Sequence, residues 1–171
     1  YFLVMNKFLC CLGFFLLFIS CSKSNKKTEP ISKSIDYAEL NSFIQDSLPI
    51  LSNLDPNYNQ VFNLWQDIDV LIKTSMMPKS DPRQLRFFIE SYKLEIDKIN
   101  EIHIPQVLNI PSVIGRFRVF KTEILKTKTN TLNQKNLQLF KYSLNKIFDS
   151  YNILISKMNA VAKESIESKK E

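Results

Sequence analysis

TLNQKNLQLFKYSLNKIFDSYNILISKMNAVAKES, residues 131–165, carries an apolar side chain every three or four positions over its whole length. Leu137, Phe140, Leu144, Ile147, Tyr151, Leu154, Met158 and Val161 form the stripe, and Phe148, Ile155 and Ala162 widen it by one position. Steps of three and four belong to an α-helix, because side chains three and four apart share one face. A stripe this wide suits a helix with its face in a bundle core. The alternative, a narrower seam for a partner coiled coil, fits the widened stripe less well. Thr131 with Gln134 reads as a capping box at the start. About 33 residues at ~1.5 Å each make an element of about 50 Å, long enough to be the spine of a domain.

Working backwards, the same period recurs behind start signals of one kind. Asp36 with Glu39 opens a short leading helix bearing Leu40, Phe43, Ile44 and Leu48, which Pro49 ends. Asp55-Pro56 opens a second helix with Val61, Leu64, Trp65, Ile68, Leu71 and Ile72 on its face. Asp81-Pro82, with Gln84 in the cap, opens a third that carries Leu85, Phe88, Ile89, Tyr92, Ile96 and Ile99 and stops near Ile102. Pro111 opens a fourth, striped by Val113, Phe117, Phe120 and Ile124. Gly115 is the only glycine after residue 13, and hairpins and phosphate-binding turns lean on glycine. The expectation is all-α: an up-and-down bundle of about four main helices, the long C-terminal one among them, plus a shorter leading helix, spanning 35–167 with a frayed tail over 168–171.

Charge is unevenly shared. The chain has a formal net charge of +6. Residues 35–110 hold eleven acidic and six basic side chains, whereas 111–148 hold eight basic ones against Glu123 alone. Two readings follow. Arg116, Arg118, Lys121, Lys126 and Lys128 offer contacts to an anionic surface. Alternatively, the acidic helices lie against the basic one, with Arg116 pairing with an acid at the edge of its apolar face.

Catalytic and metal chemistry have little to stand on. His103 is the single histidine, beside Pro105 at a helix end, and reads as a surface residue. Asp67 and Asp69 are two apart and point to different sides of a helix. No cysteine follows residue 21, which excludes thiolate zinc sites and thiol catalysis beyond that point. Catalytic, metal and cofactor-binding residues are therefore expected to be none. The thirteen Phe, six Tyr and Trp65 read as core, the alternative being an apolar ligand pocket between helices.

The N-terminal stretch supplies an address. Asn6 and Lys7 precede twelve apolar residues, Phe8 to Ile19, too few for the ~20 that a membrane-spanning helix needs. A basic n-region, a short apolar run and a small residue at the cut describe a secretory signal, with Met5 read as its start. Phe18-Ile19-Ser20-Cys21 resembles the bacterial lipobox, with Phe18 where the family usually has Leu. An ordinary signal peptide and an uncleaved anchor are the weaker readings. The resemblance implies removal of residues 1–20, lipidation (palmitate) of Cys21, and anchoring to a membrane of the cell envelope. Residues 21–34 then read as a polar tether. Ser22 is compatible with sorting to the outer membrane, and the basic tether favours the periplasmic face. The composition beyond it looks like small helical lipoproteins of Bacteroidetes. The expected role is a non-enzymatic binding or interaction module facing an envelope protein or anionic envelope component, without nucleic acid. The alternative is a carrier or sensor of small apolar ligands.

Overall fold

The computed structural model describes residues 35–169, which fall within one compact unit, Ser32–Glu171. The leader expected over 1–20, Cys21, the tether and residues 170–171 lie outside the described residues. Among those described, every regular element is helical: α1 (Tyr37–Asp46), α2 (Asn59–Phe62), α3 (Ile68–Ile72), α4 (Pro82–Lys98), α5 (Pro111–Lys126) and α6 (Leu137–Glu167). The all-α bundle with a long C-terminal helix is what the apolar periods predict.

The direction of the chain follows from named contacts. Arg83 lies over the Tyr37 ring, so α4 starts at the same end as α1. Lys121 reaches the carbonyl of Asp97 and Arg118 reaches Glu101, which sets α5 antiparallel to α4. Residues near the start of α5 line a groove with Asp149 and Ile153, and Lys126 at its end lies by Leu139, so α6 runs antiparallel to α5. The segment containing α2 and α3 makes the one descending pass between α1 and α4. All eleven stripe residues of α6 are buried, as are Val113, Phe117, Phe120 and Ile124 of α5. Phe120 tilts against Tyr151 with ring centroids 5.5 Å apart, joining the two helices at mid-height. The α4 stripe is buried too, except that Phe88 is half-buried and stacks on Tyr92.

The second helix is a correction. A continuous helix from Asp55 would turn Leu64 inward, yet Leu64 is 63% exposed while Phe62 and Trp65 are each 1% exposed. The chain breaks after Phe62 and passes through i→i+3 turns, Trp65 N–H to Phe62 O and Ile68 N–H to Trp65 O. Asn57, Asn59, Asn63 and Asp67 are weak helix formers, which lowers the cost of a break here. Breaking it lets both large rings enter the core, with Trp65 edge-on to Phe117 at 5.7 Å.

Between α1 and that turn, the chain lies extended along α6 and is held by two asparagines. Asn152 accepts from Ser52 N–H at 2.7 Å and donates to Ile50 O at 2.8 Å. Asn159 accepts from Asp55 N–H at 2.9 Å and donates to Asn53 O at 3.0 Å. Each carboxamide supplies one acceptor and one donor, as a neighbouring strand would. The geometry is commensurate. Seven helical residues rise about 10.5 Å, and three extended residues cover about 10 Å.

Caps differ in detail from those expected. Asp36 caps α1 by accepting from Glu39 N–H, but Glu39 does not reciprocate; Gln134 of the turn before α6 takes Asp36 N–H. Glu39 turns instead to Gln134, Gln138 and Lys141, and the bonds from Lys141, foremost, and Gln134 hold its carboxyl below the usual range. The box before α6 pairs Asn133 with Asn136 rather than Thr131 with Gln134. Asp81 caps α4 alone through Arg83 N–H, and that helix ends at Lys98, short of Ile102, which sits in a separate 3-10 turn.

Candidate functional site

Antiparallel packing of α5 on α6 buries one face of each helix and leaves an outward seam between them. Along it runs a groove of about 490 Å³. Ser150, 7% exposed, forms part of its floor, with its hydroxyl donated to the Lys146 and Ile147 carbonyls of its own helix. Val119 of α5 and Ile153 of α6 line it, 54% and 55% exposed. Arg116 and Glu123 on α5, with Lys146 and Asp149 on α6, supply two charges of each sign to its rim.

Gly115 lies in this groove, and neither conformation nor packing calls for it. Its φ is not positive, and a Cβ added there would meet no atom within 4 Å. Glycine inside a helix costs about 1 kcal/mol relative to alanine. What its missing side chain does is keep the groove open at the α5 wall.

The five basic residues expected to meet an anionic surface separate into three kinds. Arg118 makes a two-pronged contact with Glu101 at 2.8 and 2.6 Å, which pushes the Glu101 carboxyl down and the guanidinium up. Lys121 donates to the carbonyls of Asp97 and Ile99 and sits 3.7 Å from the Asp97 carboxylate. These two follow the internal-pairing reading, although such exposed pairs contribute only about 0–1 kcal/mol each. Arg116 corrects it: the guanidinium donates to Ser112 O at 2.6 Å, one turn back on its own helix, and meets no acid in an ion pair among the described residues. Lys126 pairs with Glu123 at 2.6 Å, off the hydrogen-bonding direction, so charge alone holds the contact. Lys128 is exposed and makes no ion pair among the described residues.

His103 lies at the surface with Nδ1 3.3 Å from the Asp67 carboxylate, while Asp69 is exposed and takes no part. No group of three or more His, Cys, Asp or Glu that could hold a metal occurs among the described residues. Polar side chains in the core are hydroxyls. Thr74 bonds Tyr92 Oη at 2.8 Å, and that hydroxyl donates to Val70 O at 2.9 Å. Burial pushes Tyr92 above the ordinary tyrosine range and Tyr151 up to about 12. Thr127 bonds Glu123 O, while the buried Trp65 indole N–H and Thr129 hydroxyl have no partner among the described residues. Comparison with protein-family models, curated proteins and solved structures finds no match to this chain.

The geometry as a whole offers recognition. An apolar centre with charges of both signs on its rim can fix the orientation of an amphipathic partner, and pockets of ~300–1,000 Å³ are the size that holds small ligands. Sequence reasoning named Arg116 and noted the rarity of Gly115. It missed Val119, Ile153 and Ser150, whose polar-face positions became a groove only once α5 was set against α6.

Proposed function

We propose that this chain is a lipid-anchored protein of the bacterial cell envelope, held through Cys21 to the outer membrane on its periplasmic side, whose bundle serves as a non-enzymatic binding module. The observation that carries the binding role is the α5–α6 groove with Gly115 in its wall. A helix glycine with no packing reason has a reason if a ligand's surface takes the place of its side chain. The lipobox resemblance at Phe18–Cys21 carries the anchor. No membrane-crossing helix occurs among the described residues. The occupant this groove fits is an amphipathic segment of another envelope protein, with aliphatic side chains between Val119 and Ile153 and charged ones at the rim.

A small apolar ligand is the second reading, favoured by the groove's volume of about 490 Å³. Native mass spectrometry of protein purified from its host membrane separates the two. A bound small molecule, displaced in Gly115→Trp, supports the carrier reading and removes the protein-segment one. For the anchor, metabolic labelling with an alkyne fatty acid marks the wild-type chain and not Cys21→Ala. Unlabelled wild-type protein, or a labelled Cys21→Ala, refutes it.

A further inference from the structure

We infer that the end of the bundle built from the 127–136 loop and the first turns of α6 rests on an anionic phospholipid surface. Lys128 and Lys135 lie at the headgroups, and Leu139 and Tyr142 in the interfacial layer. The placement rests on the anchored reading above, and three observations support it.

The first is charge. Residues 124–148 contain five lysines and no acidic side chain. Lys126 and Lys141 are taken by Glu123 and Glu39. Lys128 and Lys135 are exposed and make no ion pair among the described residues. The acids near this end are already engaged: Asp81 caps Arg83 N–H, and Glu90 pairs with Lys93, which also donates to the Thr127 carbonyl. Asp36 caps Glu39 N–H, and Glu39 is bonded to Lys141, Gln134 and Gln138.

The second is apolar exposure beside those lysines. Leu139 and Tyr142 are 58% and 56% exposed, and both line a depression of about 250 Å³ together with Lys126 and Lys128. Lysine beside leucine and tyrosine on one surface is the combination that settles at a membrane interface. The ammonium groups attract anionic headgroups while the apolar side chains enter the boundary layer.

The third is where the chain enters the domain. Asp36 N–H is bonded to Gln134 Oε1 at 2.9 Å, so the segment arriving from Cys21 joins the bundle at the basic loop. Fourteen residues lie between Cys21 and Asp36, at most about 50 Å of extended chain. They include Lys23, Lys26 and Lys27, of the same sign as the loop. The opposite end of α6 lies about 45 Å away along its axis. The point where the tether enters and the unpaired charge therefore lie at the same end of the molecule.

The described core lies wholly within the compact unit Ser32–Glu171, so a chain beginning at Ser22 keeps that core. Flotation of that chain with phosphatidylcholine vesicles, with and without phosphatidylglycerol, reads the proposal directly. Binding is expected only with phosphatidylglycerol and to weaken steeply with salt. Each lysine near the surface contributes about five-fold, so Lys128→Gln with Lys135→Gln lowers partitioning about 25-fold. Leu139→Ser with Tyr142→Ser lowers it further. Lys157→Gln with Lys163→Gln, the same change of charge about 30 Å or more along the helix, leaves it nearly unaltered. Equal binding to both vesicles, no binding, or equal losses from the two lysine pairs overturns the proposal. So does tighter binding to soluble dextran sulfate than to the anionic vesicles, which would assign the surface to a polysaccharide. Fatty-acid labelling remains a separate readout. A labelled chain whose domain ignores anionic vesicles refutes this placement and leaves the anchor standing.

Discussion

Replacing Gly115 by alanine should stabilise the protein, which is an unusual expectation for the single glycine of a helical domain. Gly115 is the fifth residue of the sixteen in α5, past the first turn and well before the end at Lys126. Alanine is favoured over glycine inside a helix by about 0.5–1 kcal/mol, because it has less backbone freedom to lose on folding. An opposing term would come from a clash, as when a glycine lets two helices approach closely. Here the added Cβ has no neighbour within 4 Å, so that term is absent. The net effect is a gain of about 0.5–1 kcal/mol, or roughly 2–4 °C in Tm for a domain of this size. Guanidinium unfolding of both proteins measures it, with the midpoint rising and the slope unchanged. A lower midpoint for Gly115→Ala refutes the reasoning, since it would mean the α5 wall is packed rather than open. If the groove binds what it is shaped for, a bulkier Gly115→Trp keeps the fold and abolishes binding.

Other expectations test the frame around the groove. Asn152→Ala and Asn159→Ala each leave an N–H and a carbonyl of the 50–55 segment without a protein partner. Water replaces part of what is lost, so each should cost about 1–2 kcal/mol, with hydrogen exchange rising first at Ser52 and Asp55 respectively. Tyr92→Phe strips Val70 O and Thr74 of a buried partner and should cost about 1–3 kcal/mol; adding Thr74→Val should recover part of it, read as a double-mutant cycle. Tyr151 stays protonated in the folded protein until about pH 12, while in the unfolded chain it ionises near pH 10. Above pH 10 the unfolded state therefore binds fewer protons, and stability falls as pH rises toward 12, by about 2–3 kcal/mol from this group. Unfolding midpoints across that range should show the decline, and Tyr151→Phe should lessen it.

Much of the fold could be read from the sequence, because helix periodicity and cap chemistry are local. The α6 stripe and the Asp-Pro starts needed no knowledge of neighbours. The break near Trp65 was not legible. Val61, Leu64 and Ile68 keep a helical period, and weak helix formers together with the burial of both Phe62 and Trp65 decide against it. Nor was the asparagine clamp, since Asn152 and Asn159 look like ordinary solvent-facing positions until an extended strand lies beside them. Charge halves were visible in composition, and Arg118 and Lys121 do meet acids of the acidic half. Arg116 shows the limit of that argument: its partner is a carbonyl one turn back, set by side-chain reach rather than net charge. The groove is a property of two helices together, so its residues carry no signal on either alone.

The binding role through the α5–α6 groove is tested most directly by photo-crosslinking in living host cells. A photoreactive residue at Val119, in the groove, is compared with one at Leu94, 69% exposed on α4. The account predicts a discrete crosslinked envelope protein from Val119, absent from Leu94 and lost when Gly115→Trp fills the groove. The same product from both positions, or one that survives Gly115→Trp, would contradict it.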